Sequence, residues 1–323
     1  MNSFQLATAV AVDTSNNVIV TGSSQASPGS SVCDYATIKY SSAGVPLWTN
    51  RYGGLSHGDD EARALAMDGS NNVIVTGYST DSGGHQDYAT IKYSSAGVPL
   101  WTNLYNSGFP DAMAVDGSNN VIVTGYSWGG GSDVDYATIK YSSAGVPLWT
   151  NRYNGPGNGG DAVYAMAVDG NGNVIVTGCS IGSGTTNDYA TIKYSSAGVP
   201  LWTNRYDGPG NGNDYAFAIA VDRSGSVIVT GYSTGSGGDY DFVTIEYLCI
   251  PSPVMTGLQR INGTFQMRVD DVLQPGTLVI KASTNLADWE PVFTNTTPTN
   301  VLFYTDPDAG NYLGRFYRAF QFR

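Results

Sequence analysis

The sequence predicts an all-β fold assembled from tandem four-stranded units, followed by a smaller β domain of a different kind. Three observations predict it. The string DYATIKYSSAGVPLWTN recurs without a change from Asp34, Asp87, Asp135 and Asp188, and a weaker copy, DFVTIEY, starts at Asp241. The 323 residues include 41 Gly but only 15 Lys plus Arg and 27 Asp plus Glu, a glycine-rich, charge-poor balance that suits short strands joined by tight turns. The apolar runs are short and bounded by turn residues, which marks strands.

Successive copies begin 53, 48, 53 and 53 residues apart, so the unit is about 53 residues with one deletion between the second and third. In the fourth unit the strands fall at Val163–Asp169, Asn173–Gly178, Asp188–Tyr194 and Pro200–Tyr206. Asp-Gly-Asn-Gly-Asn joins the first two and Ser-Ser-Ala-Gly the last two, both tight-turn sequences. Asp59 to Met67 has helical propensity, yet it aligns with GDAVYAMAV of the fourth unit and is expected to be a strand.

Four short antiparallel strands in a unit of this length describe a propeller blade, because solenoid turns are shorter. The unbroken Val-Ile-Val of each second strand fits a sheet covered on both faces. Small residues in the first strand (AMAVD, AIAVD) suit the crowded axis, and Trp in the fourth suits the wide outer edge. The expected fold is therefore a five-bladed β-propeller over residues 1–252 and a β-sandwich-like domain over 253–323. Pro253-Val254-Met255-Thr256 aligns on Pro200-Leu201-Trp202-Thr203. It reads equally as the last strand of blade five or the first strand of the C-terminal domain.

The order A-x-A-V-D, N-V-x-V-T-G, D-Y-x-x-I-K-Y, G-x-x-x-W resembles the bacterial β-propeller repeats of large secreted or surface proteins. TGLQRINGTFQMRV, ASTNLADWEPV and FYTDPDAGNYLGRFYRA resemble a small C-terminal β-sandwich domain of exported planctomycete and verrucomicrobial proteins. These resemblances imply an extracellular or cell-envelope protein and carry no shared catalytic motif. Met1 to Leu6 runs straight into the repeat without the basic and apolar regions of a signal peptide. A signal is thus expected upstream of Met1, with room for further blades.

The net charge of −12 lies wholly in residues 1–247, which hold 9 basic and 21 acidic side chains against 6 of each in 248–323. Such an acidic surface repels phosphate backbones and anionic membranes, and no apolar run reaches the ~18 residues of a membrane span. Cys33, Cys179 and Cys249 sit at unrelated repeat positions and define neither a disulfide framework nor a zinc spacing.

Gly155 to Gly160 satisfies G-x-G-x-x-G but joins two strands, where a dinucleotide fingerprint requires a following helix. The turns at Asp13, Asp68, Asp116, Asp169 and Asp222 open like calcium loops, yet the position of the bidentate Glu is Ser24, Ser79, Ser127, Ser180 or Ser233. These aspartates are read as turn caps. Lys39, Lys92, Lys140 and Lys193 form a ring that Glu246 breaks, and repetition alone explains it. The sequons at Asn262 and Asn295 matter only in a eukaryotic secretory route.

Strand direction alternates, so the near-identical turns share one end and the varied connections the other. That variable end collects Asp60, Asp161 and Asp214 at one repeat position, both histidines, His57 and His85, and Trp128. These six are the candidate ligand-binding residues, because binding concentrates in loops on a rigid scaffold. Two histidines in different blades supply no triad and no zinc site. No catalytic residue, metal or cofactor is assigned, with Ca²⁺ the one cation the acidic loops leave open. The expected function is a non-enzymatic binding or scaffold propeller with a protein or glycan partner; the alternative is a carbohydrate-binding or glycan-active propeller using the variable face.

Overall fold

The structure, a computed structural model, describes residues 5–27, 29–54, 56, 58–105, 107–129, 133–249, 254–261, 264–270, 272, 277–299, 301–312 and 315–322. It divides into two compact units, Met1–Tyr247 and Leu248–Arg323. The described residues are all-β apart from one short 3₁₀ turn.

Unit 1 contains four four-stranded antiparallel meanders and one three-stranded one. Sheet 1 is β1 (Gln5–Val12), β2 (Val18–Gln25), β3 (Cys33–Tyr40) and β4 (Pro46–Tyr52). Sheet 2 is β5 (Asp60–Met67), β6 (Val73–Thr80), β7 (Gln86–Tyr93) and β8 (Pro99–Tyr105). Sheet 3 is β9 (Gly108–Val115), β10 (Val121–Trp128), β11 (Val134–Tyr141) and β12 (Pro147–Tyr153). Sheet 4 is β13 (Asp161–Val168), β14 (Val174–Ile181), β15 (Asn187–Tyr194) and β16 (Pro200–Tyr206), and sheet 5 is β17 (Tyr215–Val221), β18 (Val227–Thr234) and β19 (Tyr240–Tyr247). The helix-prone Asp60–Met67 is a strand, since its pairing with β6 outweighs local propensity.

The Val-Ile-Val runs are explained by where each side chain goes. Val73 and Val75 pack back on Ile19 and Tyr35 of sheet 1, while Ile74 packs forward on Val121 and Val123 of sheet 3. A sheet buried on both faces has no polar side to alternate with. Each interface is also stapled by hydrogen bonds. The Tyr35 hydroxyl donates to the Ala89 carbonyl, Lys39 Nζ and Trp48 Nε1 both donate to the Ser95 carbonyl at 3.2 Å, and Asn50 Nδ2 donates to the Gly97 carbonyl at 2.7 Å. Gly97 has φ +84°, and a Cβ there would come 2.7 Å from the Trp48 ring. The tryptophan therefore needs a glycine in the next sheet as its seat.

The fifth sheet differs from expectation. Among the described residues it has three strands, and β20 (Val254–Ile261) pairs with β21 (Thr264–Asp270) in unit 2. Residues 254–256 pair within the second unit, and residue 253 lies outside the described residues. The outer faces of the first and last sheets stay open: Val10 is 67% and Phe242 81% exposed. Sheet 5 carries Phe242 and Glu246 where sheets 1 to 4 carry Tyr and Lys, and its described strands offer no Trp. A closed five-bladed ring is therefore not formed.

Unit 2 has two three-stranded antiparallel sheets. The first orders β20, β21 and then β24 (Leu302–Asp306); the second places β22 (Thr277–Ser283) between β23 (Glu290–Asn295) and β25 (Phe316–Phe322). Both contribute to one core containing Met267, Val269, Leu278, Ile280 and Tyr304. Among the described residues no helix is long and apolar enough to cross a membrane.

Candidate functional site

The constant end of unit 1 is chemically closed. Asp68 Oδ1 accepts the backbone N–H groups of Ser70 and Asn72, and its Oδ2 accepts Asn72 Nδ2 at 2.8 Å and pairs with Lys92 Nζ at 2.8 Å. Burial acts to raise this carboxyl, but Lys92, Asn72 and the backbone donors outweigh it and hold it below the ordinary range. Asp13, Asp116 and Asp169 repeat the pattern with Lys39, Lys140 and Lys193. An ammonium occupies the place a cation would take. The lysine ring is thus a set of buried ion pairs, and the partner of each lysine is the aspartate of its own sheet's first turn.

The variable end holds carboxylates of opposite character. Asp60, Asp161 and Asp214 are all fully buried, where loop residues facing solvent were expected. Each accepts backbone donors that pin the connection above it: Thr80 N–H on Asp60 Oδ1, Gly155 and Ile181 N–H on Asp161, Gly208 and Thr234 N–H on Asp214. The glycine-rich 155–160 segment is the loop so pinned. No lysine reaches these groups. Burial pushes Asp60 up to about 6 and also raises Asp161, against the hydrogen bonds of Ser79 and Ser180 respectively.

Asp60 also lines a cleft of about 280 Å³ between sheets 1 and 2. Its wall includes Asp59, Asp60, Glu61, Tyr78 and Cys33. Asp60 Oδ2 has no hydrogen-bond partner. Glu61 accepts the Tyr78 hydroxyl at 3.4 Å and lies 3.7 Å from Arg63 Nε. From Tyr78 the surface continues into an aromatic group: Phe109 lies edge-on to Tyr78 with centroids 5.0 Å apart, and Trp128 contacts both Phe109 and Tyr126. The Arg63 guanidinium sits 5.4 Å over Tyr78 and 5.2 Å over Phe109 and pairs with Asp111 at 2.9 Å. Burial raises Asp111 despite that pair.

Of the six residues expected here, the structure brings Asp60 and Trp128 to one stretch of surface. Asp161 and Asp214 belong to later sheets. His85 stands apart on an exposed turn with Nδ1 3.2 Å from Asp81 Oδ2, and His57 lies outside the described residues. Glu61, Arg63, Phe109 and Asp111 were missed. Their signal was departure from the repeat, since each occupies a first-strand position where the copies disagree. The three cysteines are free thiols.

No family model matches the chain, and no curated protein matches it. Among solved structures it is similar to the Dos1 propeller (TM-score 0.47, 11% identity, 72% of this chain and 54% of that one). It is also similar to the β-propeller domain of the Trilobed protease from Pyrococcus furiosus (TM-score 0.46, 4% identity, 90% and 85%). A third is CoXyl43, a β-xylosidase/α-arabinofuranosidase from a compost microbial metagenome (TM-score 0.37, 9% identity, 79% and 93%). The chain spans about half the length of the Dos1 structure. Several other similar structures are named as glycosidases and one as a putative gluconolactonase, in contrast to the non-enzymatic binding or scaffold protein expected from the sequence.

Proposed function

We propose that unit 1 is a five-bladed, open propeller scaffold whose variable end acts on carbohydrate, and that unit 2 is a β-sandwich appended to it. The observation that carries the reading is the cleft of Asp59, Asp60 and Glu61 running into the Tyr78, Phe109, Tyr126 and Trp128 rings. Sugar rings present apolar C–H faces that stack on aromatic side chains and hydroxyls that bond carboxylates and guanidinium. Cleaving a glycosidic bond needs a carboxylic acid that keeps its proton and a second, ionised carboxylate. Asp60, with its carboxyl pushed up to about 6, supplies the proton to the leaving oxygen. Glu61, which accepts the Tyr78 hydroxyl and lies beside Arg63, is the second carboxylate, which activates water or attacks the anomeric carbon. The exported setting that the repeat resemblance implies accords with a polysaccharide substrate.

Aryl glycosides and a glycan array test this. Glu61→Gln is expected to lower hydrolysis by about 100-fold or more while leaving glycan binding in place. Trp128→Ala is expected to weaken glycan binding by about tenfold without changing the thermal midpoint. A wild-type chain that hydrolyses no glycoside and binds no glycan overturns the reading.

A further inference from the structure

Three carboxylates converge between sheets 4 and 5, away from the cleft. Asp188, Asp207 and Asp214 each place an oxygen within 4.8 Å of the others. Asp188 is 4% exposed and Asp214 fully buried. Asp188 Oδ2 is engaged by Arg205 Nη2 at 2.8 Å and Thr185 Oγ1 at 3.0 Å, while its Oδ1 is buried without a partner. The repeat shows where that free oxygen faces. In sheet 1 the arginine likewise holds Asp34 Oδ2, and a Cβ at Gly53, the counterpart of Asp207, would lie 2.7 Å from Asp34 Oδ1. In sheet 2 the matching Asp87 Oδ1 accepts the Ser107 N–H at 2.7 Å. Asp188 Oδ1 faces the same connection and receives no donor.

A second orphan oxygen lies at the same place. Ser233 is 1% exposed and its Oγ has no partner. A Cβ built on Gly208 would fall 1.9 Å from Ser233 Oγ and 2.8 Å from Asp214 Oδ1, which puts the hydroxyl beside the carboxylates. The cause is the lack of a fourth strand among the described residues. In sheets 1, 3 and 4 the equivalent Ser24, Ser127 and Ser180 hydroxyls are held by Arg51, Arg152 and Arg205 of that strand, and sheet 5 has no such arginine. Asp207 is the other departure, since the third repeat has Asn154 there. Three carboxylates stand beside the single guanidinium of Arg205.

We propose that Asp188, Asp207, Asp214 and Ser233 form a binding site for one divalent cation of the Ca²⁺ type. The donors are all oxygen, which disfavours zinc and other soft metals. The irregular set, drawn from two sheets and a loop, suits the flexible coordination of Ca²⁺ better than the near-octahedral demand of Mg²⁺. The ion would cross-link sheet 4 to sheet 5 where the repeat's own arginine clamp is lost.

Calorimetric titration of the chelator-treated full chain with Ca²⁺ tests the site, with thermal denaturation as the second measurement. The expected result is one Ca²⁺ per chain and a rise in the thermal midpoint that Mg²⁺ does not reproduce. Asp207→Asn restores the residue of the third repeat at an exposed position and is expected to fold, to lose at least tenfold in Ca²⁺ affinity and to lose the thermal shift. Asp222→Asn, at the opposite end, retains both. No heat at millimolar Ca²⁺, or an Asp207→Asn chain that binds like wild type, overturns the proposal.

Discussion

The two ends of the unit 1 sheets treat the same residue in opposite ways. At the constant end Asp13, Asp68, Asp116 and Asp169 are buried against lysine and backbone donors, and their carboxyls are held down. At the variable end Asp60 and Asp161 are buried without a cation and Asp111 is half-buried against Arg63, and all three carboxyls are pushed up. Paired charge holds the scaffold together. Underpaired charge lowers stability and leaves protons and oxygens available for chemistry.

The strongest way to break this contrast is at Lys92. Lys92→Met strands the buried Asp68 carboxylate and is expected to cost about 3–5 kcal/mol, read from the urea midpoint. Asp222→Asn, in the one repeat where Glu246 replaces the lysine, leaves that midpoint unmoved. Equal effects at the two turns would remove the distinction between paired and unpaired repeats.

A smaller effect is expected where the staple meets its seat. Gly97→Ala places a Cβ against the Trp48 ring at positive φ and is expected to cost roughly 1–3 kcal/mol. The matched substitution at Gly44, with nothing within 4 Å, incurs only the backbone part. The difference between the two measures the tryptophan contact.

The subtlest test is pH. Between about pH 4 and 6 the folded chain keeps a proton on Asp60 that the unfolded chain has released, so stability falls as pH rises through that window. The lowered carboxyls of the constant end act in the other sense. Their contribution is complete above about pH 4 and is lost as pH falls through their depressed values. Thermal midpoints are expected to peak near pH 4 to 5, and Asp60→Asn is expected to flatten the fall on the neutral side only. A flat wild-type curve over that window would count against a protonated Asp60.

The repeat made most of the scaffold legible, because a period of 53 residues fixes which runs pair and which turns share an end. Val73, Ile74 and Val75 announced burial on both faces before any contact was known. Three things were hidden. Asp68 and Lys92 are 24 residues apart in sequence, and nothing local couples a turn to a strand that far along. Val254 carries a propeller-like neighbourhood but finds a partner strand only in unit 2, a competition that alignment does not express. The site residues Glu61, Arg63, Phe109 and Asp111 are singular, and a reading built on recurrence passes over what occurs once. Asp161 and Asp214 recur at one repeat position, which pointed to ligand-binding loop residues, and nothing in the recurrence expresses that both are buried under backbone donors.

The stapled interface has one more consequence, for inheritance. Sheets 1 and 2, 2 and 3, and 3 and 4 meet through the same Lys, Trp and Asn donors and the same glycine seat. Excising one internal period joins two faces that already fit each other, and duplicating one creates no new kind of contact. Blade number in such a gene can drift without any single step that fails to fold, while the residues that occur once, at the variable end, are lost or gained with the copy that holds them.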